Sequence, residues 1–128
     1  MSDPKIKTTI NDGIPEMDVT EVNQYSEKIK LIDVRRPDEF NNELGHINGA
    51  KLITLGPDLE EFFETYLTQT QKNENQQVPL VLICRSGSRS GHATLLAMDM
   101  GIKNIYNMTG GMIRWNDFGL PIVREEEL

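Results

Sequence analysis

The feature that most constrains this chain is the run Leu80-Val81-Leu82-Ile83-Cys84, which passes directly into Arg85-Ser86-Gly87-Ser88-Arg89-Ser90. An apolar run that short, with no alternation, reads as a strand buried on both faces, the central position of a parallel sheet. It falls far short of the ~20 apolar residues a bilayer span needs, and no longer apolar run exists in the chain. A parallel strand needs a crossover, and the polar loop is followed by Ala93, Leu96, Ala97 and Met100 at helical spacing, ended by Gly101. The unit is therefore strand, glycine-bearing loop, helix. In open α/β sheets such loops, at the carboxyl ends of strands, are where sites form.

The rest of the chain alternates in the same way. Ile14 to Met17 reads as a short strand. Asp18 caps a helix carrying Val22, Tyr25 and Ile29, with Glu21 three residues beyond the cap. Leu31-Ile32-Asp33-Val34 is a buried strand, and Arg36-Pro37-Asp38-Glu39-Phe40 opens a short helix with proline in its first turn. Ala50 to Ile53 is another strand. Leu59, Phe62, Phe63, Tyr66 and Leu67 form one apolar helical stripe. Residues 68–77 hold no apolar side chain and are expected to form a solvated loop. Asn104 to Asn107 is the last strand, and Thr109-Gly110-Gly111 leads into a helix carrying Met112, Trp115 and Phe118. Strands alternating with helices predict an α/β fold, a parallel sheet with helices on both faces. Residues 14–123 form one domain. Residues 1–13 are read as a flexible N-terminal arm or a short edge element, and 124–128 as an acidic C-terminal tail.

Charge narrows the function classes. Against 20 Asp and Glu stand 13 Lys and Arg, a net charge of −7. That balance argues against general nucleic-acid binding and against docking on an anionic membrane. The N-terminus lacks the apolar segment of a secretory signal. One cysteine cannot form an internal disulfide, and His46 and His92 are not spaced as metal ligands. The expected setting is a reducing cytoplasm, with no metal or organic cofactor.

The loop after Cys84 carries the chemistry. A lone cysteine ending an apolar strand is often a small buried hydrophobe. Two arginines and three hydroxyls directly after it serve no core purpose. Small residues let successive backbone N–H groups converge on one point, and the following helix adds its unsatisfied amides. Electropositive sites of this kind favour the thiolate, the nucleophilic form. The spacing is Cys-x4-Arg, whereas a cysteine phosphatase cradle needs Cys-x5-Arg, a position held here by Ser90. The shorter ring suits a smaller group such as a sulfur atom. With no second cysteine, sulfur accepted by Cys84 must leave on an external thiol or cyanide.

Cys84-Arg85-Ser86-Gly87-Ser88-Arg89-Ser90 resembles the active-site loop of single-domain rhodanese (thiosulfate sulfurtransferase-like) proteins. Leu31-Ile32-Asp33-Val34-Arg35 with Pro37, Glu39-Phe40 and Gly45-His46-Ile47-Asn48-Gly49-Ala50 is similar to that family's N-terminal signature. Gly110-Gly111 with Trp115 and Gly119-Leu120-Pro121 is similar to its C-terminal one. The resemblance covers about residues 15–123. It implies a five-stranded parallel sheet and a Cys84 persulfide intermediate. Around the transferred sulfur it places the backbone amides of Arg85, Ser86, Gly87, Ser88, Arg89 and Ser90. The implied activity moves sulfane sulfur from thiosulfate or a persulfide to a thiol or cyanide. The implied partners are a small anionic sulfur donor and a thiol acceptor or sulfur-carrier protein, with the chain a monomer or weak dimer. The alternatives are an arsenate reductase or phosphatase-type enzyme, and a non-catalytic interaction module of the same fold.

Asp33 and Arg35 end a strand near the same sheet edge as Cys84. Either they line the pocket, or they form an ion-pair brace in which Arg35 reaches Glu39. Arg89 is expected to fold back on loop carbonyls or on a carboxylate, and Arg85 to face the mouth. His46 is expected to hydrogen-bond its turn, and Trp115 and Phe118 to be core.

Overall fold

The β5 strand, Leu80–Ile83, is buried along its whole length and lies inside a six-stranded sheet of order β1-β2-β6-β5-β3-β4. The computed structural model describes residues 5–72 and 78–124. In chain order, the elements begin with β1 (Thr9–Asn11), β2 (Ile14–Met17), α1 (Val19–Gln24) and β3 (Lys30–Asp33). There follow α2 (Pro37–Phe40), β4 (Lys51–Leu52), α3 (Pro57–Lys72), β5, α4 (Ser88–Met100), β6 (Ile105–Met108) and α5 (Gly111–Asp117). All neighbours are parallel except β1 and β2.

Alternation along β5 builds a core on each face. Val81 and Ile83 pack with Val19 and Val22 of α1 and with Met112 and Trp115 of α5. Leu80, Leu82 and Cys84 pack on the other face with Leu59 and Phe63 of α3 and with Ala93 and Ala97 of α4. Helices thus cover both faces, as the apolar stripes predict. No described helix is long and apolar enough to cross a membrane.

The sheet departs from five parallel strands by one antiparallel edge strand, and the cause is local. Asp12 and Gly13 both adopt positive φ, 51° and 81°, which makes a two-residue hairpin turn. Thr9–Asn11 therefore fold back on Ile14–Met17, with Asn11 opposite Ile14. Every residue of β1 is exposed, so no apolar alternation marks it in the sequence. Within the stretch read as an arm, 9–11 are strand, and 1–4 lie outside the described residues.

Two other expectations change. Helix α3 runs on through residues 68–72, part of the stretch expected as a loop; 73–77 lie outside the described residues. Gln and Lys are good helix formers, so a helix can run on past its last apolar residue. Phe118 is 48% exposed, not core: α5 ends at Asp117, and the ring lies against the Arg114 guanidinium at 4.7 Å. Trp115 is buried as expected, and its Nε1–H donates to Pro121 O at 2.8 Å. Arg124, the first tail residue, donates from Nε to Asn42 O at 2.8 Å, and 125–128 lie outside the described residues.

Candidate active site

Parallel pairing brings three strand ends together. Asp33 of β3 is in register with Ile83 of β5, and Leu82 of β5 with Asn107 of β6. Cys84 follows β5 at that edge and is 1% exposed. The chain then turns through Gly87, whose φ of 96° lies in the region glycine favours, and enters the 13-residue helix α4. A Cβ on Gly87 would also approach Gly110 N to 3.2 Å.

The turn points two backbone donors at the sulfur and sets the Ser90 hydroxyl beside it. Gly87 N lies 3.1 Å from Cys84 Sγ, Ser90 N 3.3 Å, and Ser90 Oγ 3.2 Å. Both amides belong to the start of α4, whose dipole adds positive potential at Sγ. The first turn of α5 holds the loop from the other side. Met112 N donates to Cys84 O at 2.9 Å and Ile113 N to Arg85 O at 3.0 Å. Gly111 makes this approach possible: a Cβ there would stand 2.5 Å from both Cys84 O and Arg85 O.

The two arginines of the loop separate. Arg89 makes a bidentate pair with Glu39, Nη1 to Oε1 at 2.7 Å and Nη2 to Oε2 at 2.9 Å. The Arg89 hydrogen bond is the main reason the Glu39 carboxyl falls from 4.5 to about 2, and Glu39 in turn raises Arg89. Glu39 also accepts from Arg36 N at 3.1 Å, so α2 is capped by the residue that anchors the loop. Arg85 is half-exposed, 3.7 Å from Glu43 Oε1. Ser86 and Ser88 are the other open members of the loop: one is exposed and the other is exposed at the start of α4.

Asp33 and Arg35 form a brace, though not the expected one. Arg35 does not reach Glu39. Its Nε donates to Asp33 Oδ1 at 2.9 Å and its Nη2 to Asp33 Oδ2 at 2.7 Å and Gly45 O at 2.8 Å. Glu39 is already taken by Arg89 from 50 residues away, a pairing that sequence neighbourhood conceals. Both Asp33 and Arg35 are fully buried. Arg35 Nη1 is the one buried side-chain nitrogen or oxygen without a hydrogen-bond partner among the described residues. His46 braces its turn: Nδ1 lies 3.0 Å from Phe40 O and the ring stacks on Phe40 at 3.7 Å. His92 is exposed. Among the described residues no group of His, Cys, Asp and Glu is arranged to hold a metal ion.

The Glu39–Arg89 pair makes a pH prediction. A carboxyl whose folded value lies below its unfolded value contributes stability that is present above the unfolded value and fades as pH falls toward the folded one. The window here runs from 4.5 down to about 2. Urea midpoints measured between those limits are expected to fall more steeply in the wild type than in Glu39→Gln, which has no carboxyl to titrate. Parallel slopes in the two proteins would remove the pair from the acid response.

Asn107 was missed by the sequence reading. It is 3% exposed, and its Nδ2 donates to Gly87 O at 3.1 Å and to Glu16 Oε2 at 3.2 Å. A polar residue inside an otherwise apolar strand, Ile105-Tyr106-Asn107-Met108, is the signal that could have singled it out.

Comparison with known proteins agrees with this architecture. The family model described as "Rhodanese-like domain" matches residues 18–118. Rhodanese-like domain-containing protein 17 of Arabidopsis thaliana is 30% identical over 95% of this chain and 83% of its own length. Thiosulfate sulfurtransferase 18 of the same plant is 32% identical over 77% of this chain and 74% of its own. A solved human single-domain sulfurtransferase superposes with a TM-score of 0.62 at 27% identity, covering 82% of this chain and 97% of that one. The chain belongs to the rhodanese-like family.

Proposed function

We propose that the protein is a sulfurtransferase that carries sulfane sulfur on Cys84. The observation that carries this reading is the cradle itself: Cys84 Sγ at the start of α4 with Gly87 N and Ser90 N aimed at it. The thiolate attacks the outer sulfur of thiosulfate. The sulfur–sulfur bond breaks, sulfite leaves with the electron pair, and Cys84 becomes a persulfide. A thiolate or cyanide then attacks the outer sulfur and Cys84 departs as thiolate, which closes the cycle without a second cysteine. Loop amides of residues 85–90 hold the anionic sulfur, and Arg85, half-exposed at the mouth, draws in the anionic donor.

The short loop supports this over arsenate reduction or phosphate-ester hydrolysis. The arginine that follows Cys84 at x4 is committed to Glu39, so its guanidinium is not free to clamp a phosphoryl group. Asp33 and Arg35 act by fixing the β3 end that supports the loop, not by touching substrate. The partners in this reading are a small anionic donor and a thiol or sulfur-carrier protein as acceptor, and the setting is the cytoplasm. The test is mass spectrometry after incubation with thiosulfate, glutathione persulfide or another persulfide donor. The expected result is a gain of one sulfur atom on the Cys84 peptide, removed by cyanide. Absence of that adduct with every donor would overturn the assignment.

A further inference from the structure

We propose that Asn107 is a positioning residue for the Cys84 sulfur: it takes the proton of the Ser90 hydroxyl and so withholds that hydroxyl from the sulfur as a donor. Ser90 Oγ has two neighbours within hydrogen-bond reach, Cys84 Sγ at 3.2 Å and Asn107 Oδ1 at 2.5 Å. It has one proton to give.

The Asn107 amide decides where that proton goes. Its nitrogen end is fixed by two acceptors, Gly87 O and Glu16 Oε2, neither of which could face an amide oxygen. Its oxygen end therefore faces Ser90 and can only accept. The proton lies on the Asn107 side, and Ser90 Oγ meets the sulfur with a lone pair. That arrangement suits a protonated thiol, giving the chain Sγ–H to Oγ–H to Oδ1. When the thiol proton leaves to solvent, Sγ has lone pairs only. Ser90 can then serve the anion only by turning its O–H away from Asn107, which leaves a buried amide oxygen unpaired. The anion accordingly depends on the two backbone N–H groups, Gly87 and Ser90.

Other charges around the sulfur are Arg85 and Arg89 from the loop, Glu39 from α2, Asp33 and Arg35 from β3, and Glu16 from β2. Helix α5 adds Arg114, paired with Asp18. The variants below leave all of them in place. The inference bears on the same site as the proposed sulfur transfer and rests on that reading for its functional meaning, but its test needs no sulfur donor.

The experiment is alkylation of free Cys84 by iodoacetamide across pH in the full chain, for wild type, Asn107→Leu, Ser90→Ala and the double variant. Asn107→Leu frees the Ser90 hydroxyl for the sulfur. It is expected to speed alkylation roughly three- to tenfold on the acidic limb, the effect of about one net hydrogen bond, and to move the profile to lower pH. Ser90→Ala is expected to be slower than wild type by no more than about twofold, because the hydroxyl is already committed elsewhere. In the double variant the gain should vanish, since Asn107 acts through Ser90. The proposal is overturned by a larger slowing in Ser90→Ala, by no gain in a folded Asn107→Leu, or by a gain that survives without Ser90. If Asn107→Leu does not fold, Ser90→Ala decides alone. Persulfide formation can stand while this test fails, and the reverse.

Discussion

Cys84→Ser is expected to lose sulfur transfer by on the order of 10^3-fold or more, since in the proposed mechanism it removes the nucleophile itself. The substitution is close to isosteric. The serine hydroxyl can accept from the same Gly87 and Ser90 amides, so the loop and both core faces should stay folded. What changes is chemistry: a hydroxyl does not ionise at neutral pH and cannot hold a second sulfur as a stable anion. The measurement is thiosulfate-to-cyanide turnover beside a far-UV spectrum and a thermal melt. Full turnover in a folded Cys84→Ser protein would sink the persulfide mechanism. Hydrolysis of an aryl phosphate that disappears in the same variant would point to the phosphatase-type reading. A protein with neither activity in the wild type would fit a module that only binds.

Asp33→Ala is expected to destabilise the fold by about 3–5 kcal/mol, the range for removing one partner of a buried ion pair. The Asp33 carboxylate makes three side-chain contacts with Arg35 and also accepts from Arg35 N at 3.1 Å. Its loss leaves a guanidinium at 0% exposure with Gly45 O as its remaining side-chain partner. That guanidinium already has one unpartnered nitrogen, so the site has little spare capacity to compensate. Replacing both residues together, Asp33→Leu with Arg35→Met, is expected to cost far less than the single change, because no charge is then stranded. Urea unfolding of the two variants measures the contrast. A single variant as stable as wild type would show that the brace does not support the β3 end.

Much of the site was legible in the chain because its chemistry is local. The sulfur, its two amide donors and the left-handed glycine all lie between Cys84 and Ser90, and a short loop between a buried strand and a helix leaves few ways to arrange them. Gly111 was legible for a similar reason, since only glycine tolerates a carbonyl 2.5 Å from its Cβ position. Elements marked by an apolar pattern, or in α2 by a proline in the first turn, were found, and two stretches with neither mark were not. Strand β1 is exposed throughout, and the end of α3 has no apolar stripe. The Asp12-Gly13 turn did carry a hairpin signal, but nothing apolar flanked it on the N-terminal side beyond Ile10.

By itself, the sequence determined an α/β domain with one cysteine, a basic loop directly after a buried strand, and no second thiol. Those follow from patterns within a few residues, where hydrophobic period and backbone sterics act. The tertiary structure alone decided which charges pair. Glu39 chose Arg89 across 50 residues over nearby Arg35, Arg35 turned to Asp33, and Asn107 came under Ser90 from 17 residues away. Ion pairs and hydrogen bonds are set by distances of about 3 Å. Only the packed sheet brings groups from different strands that close.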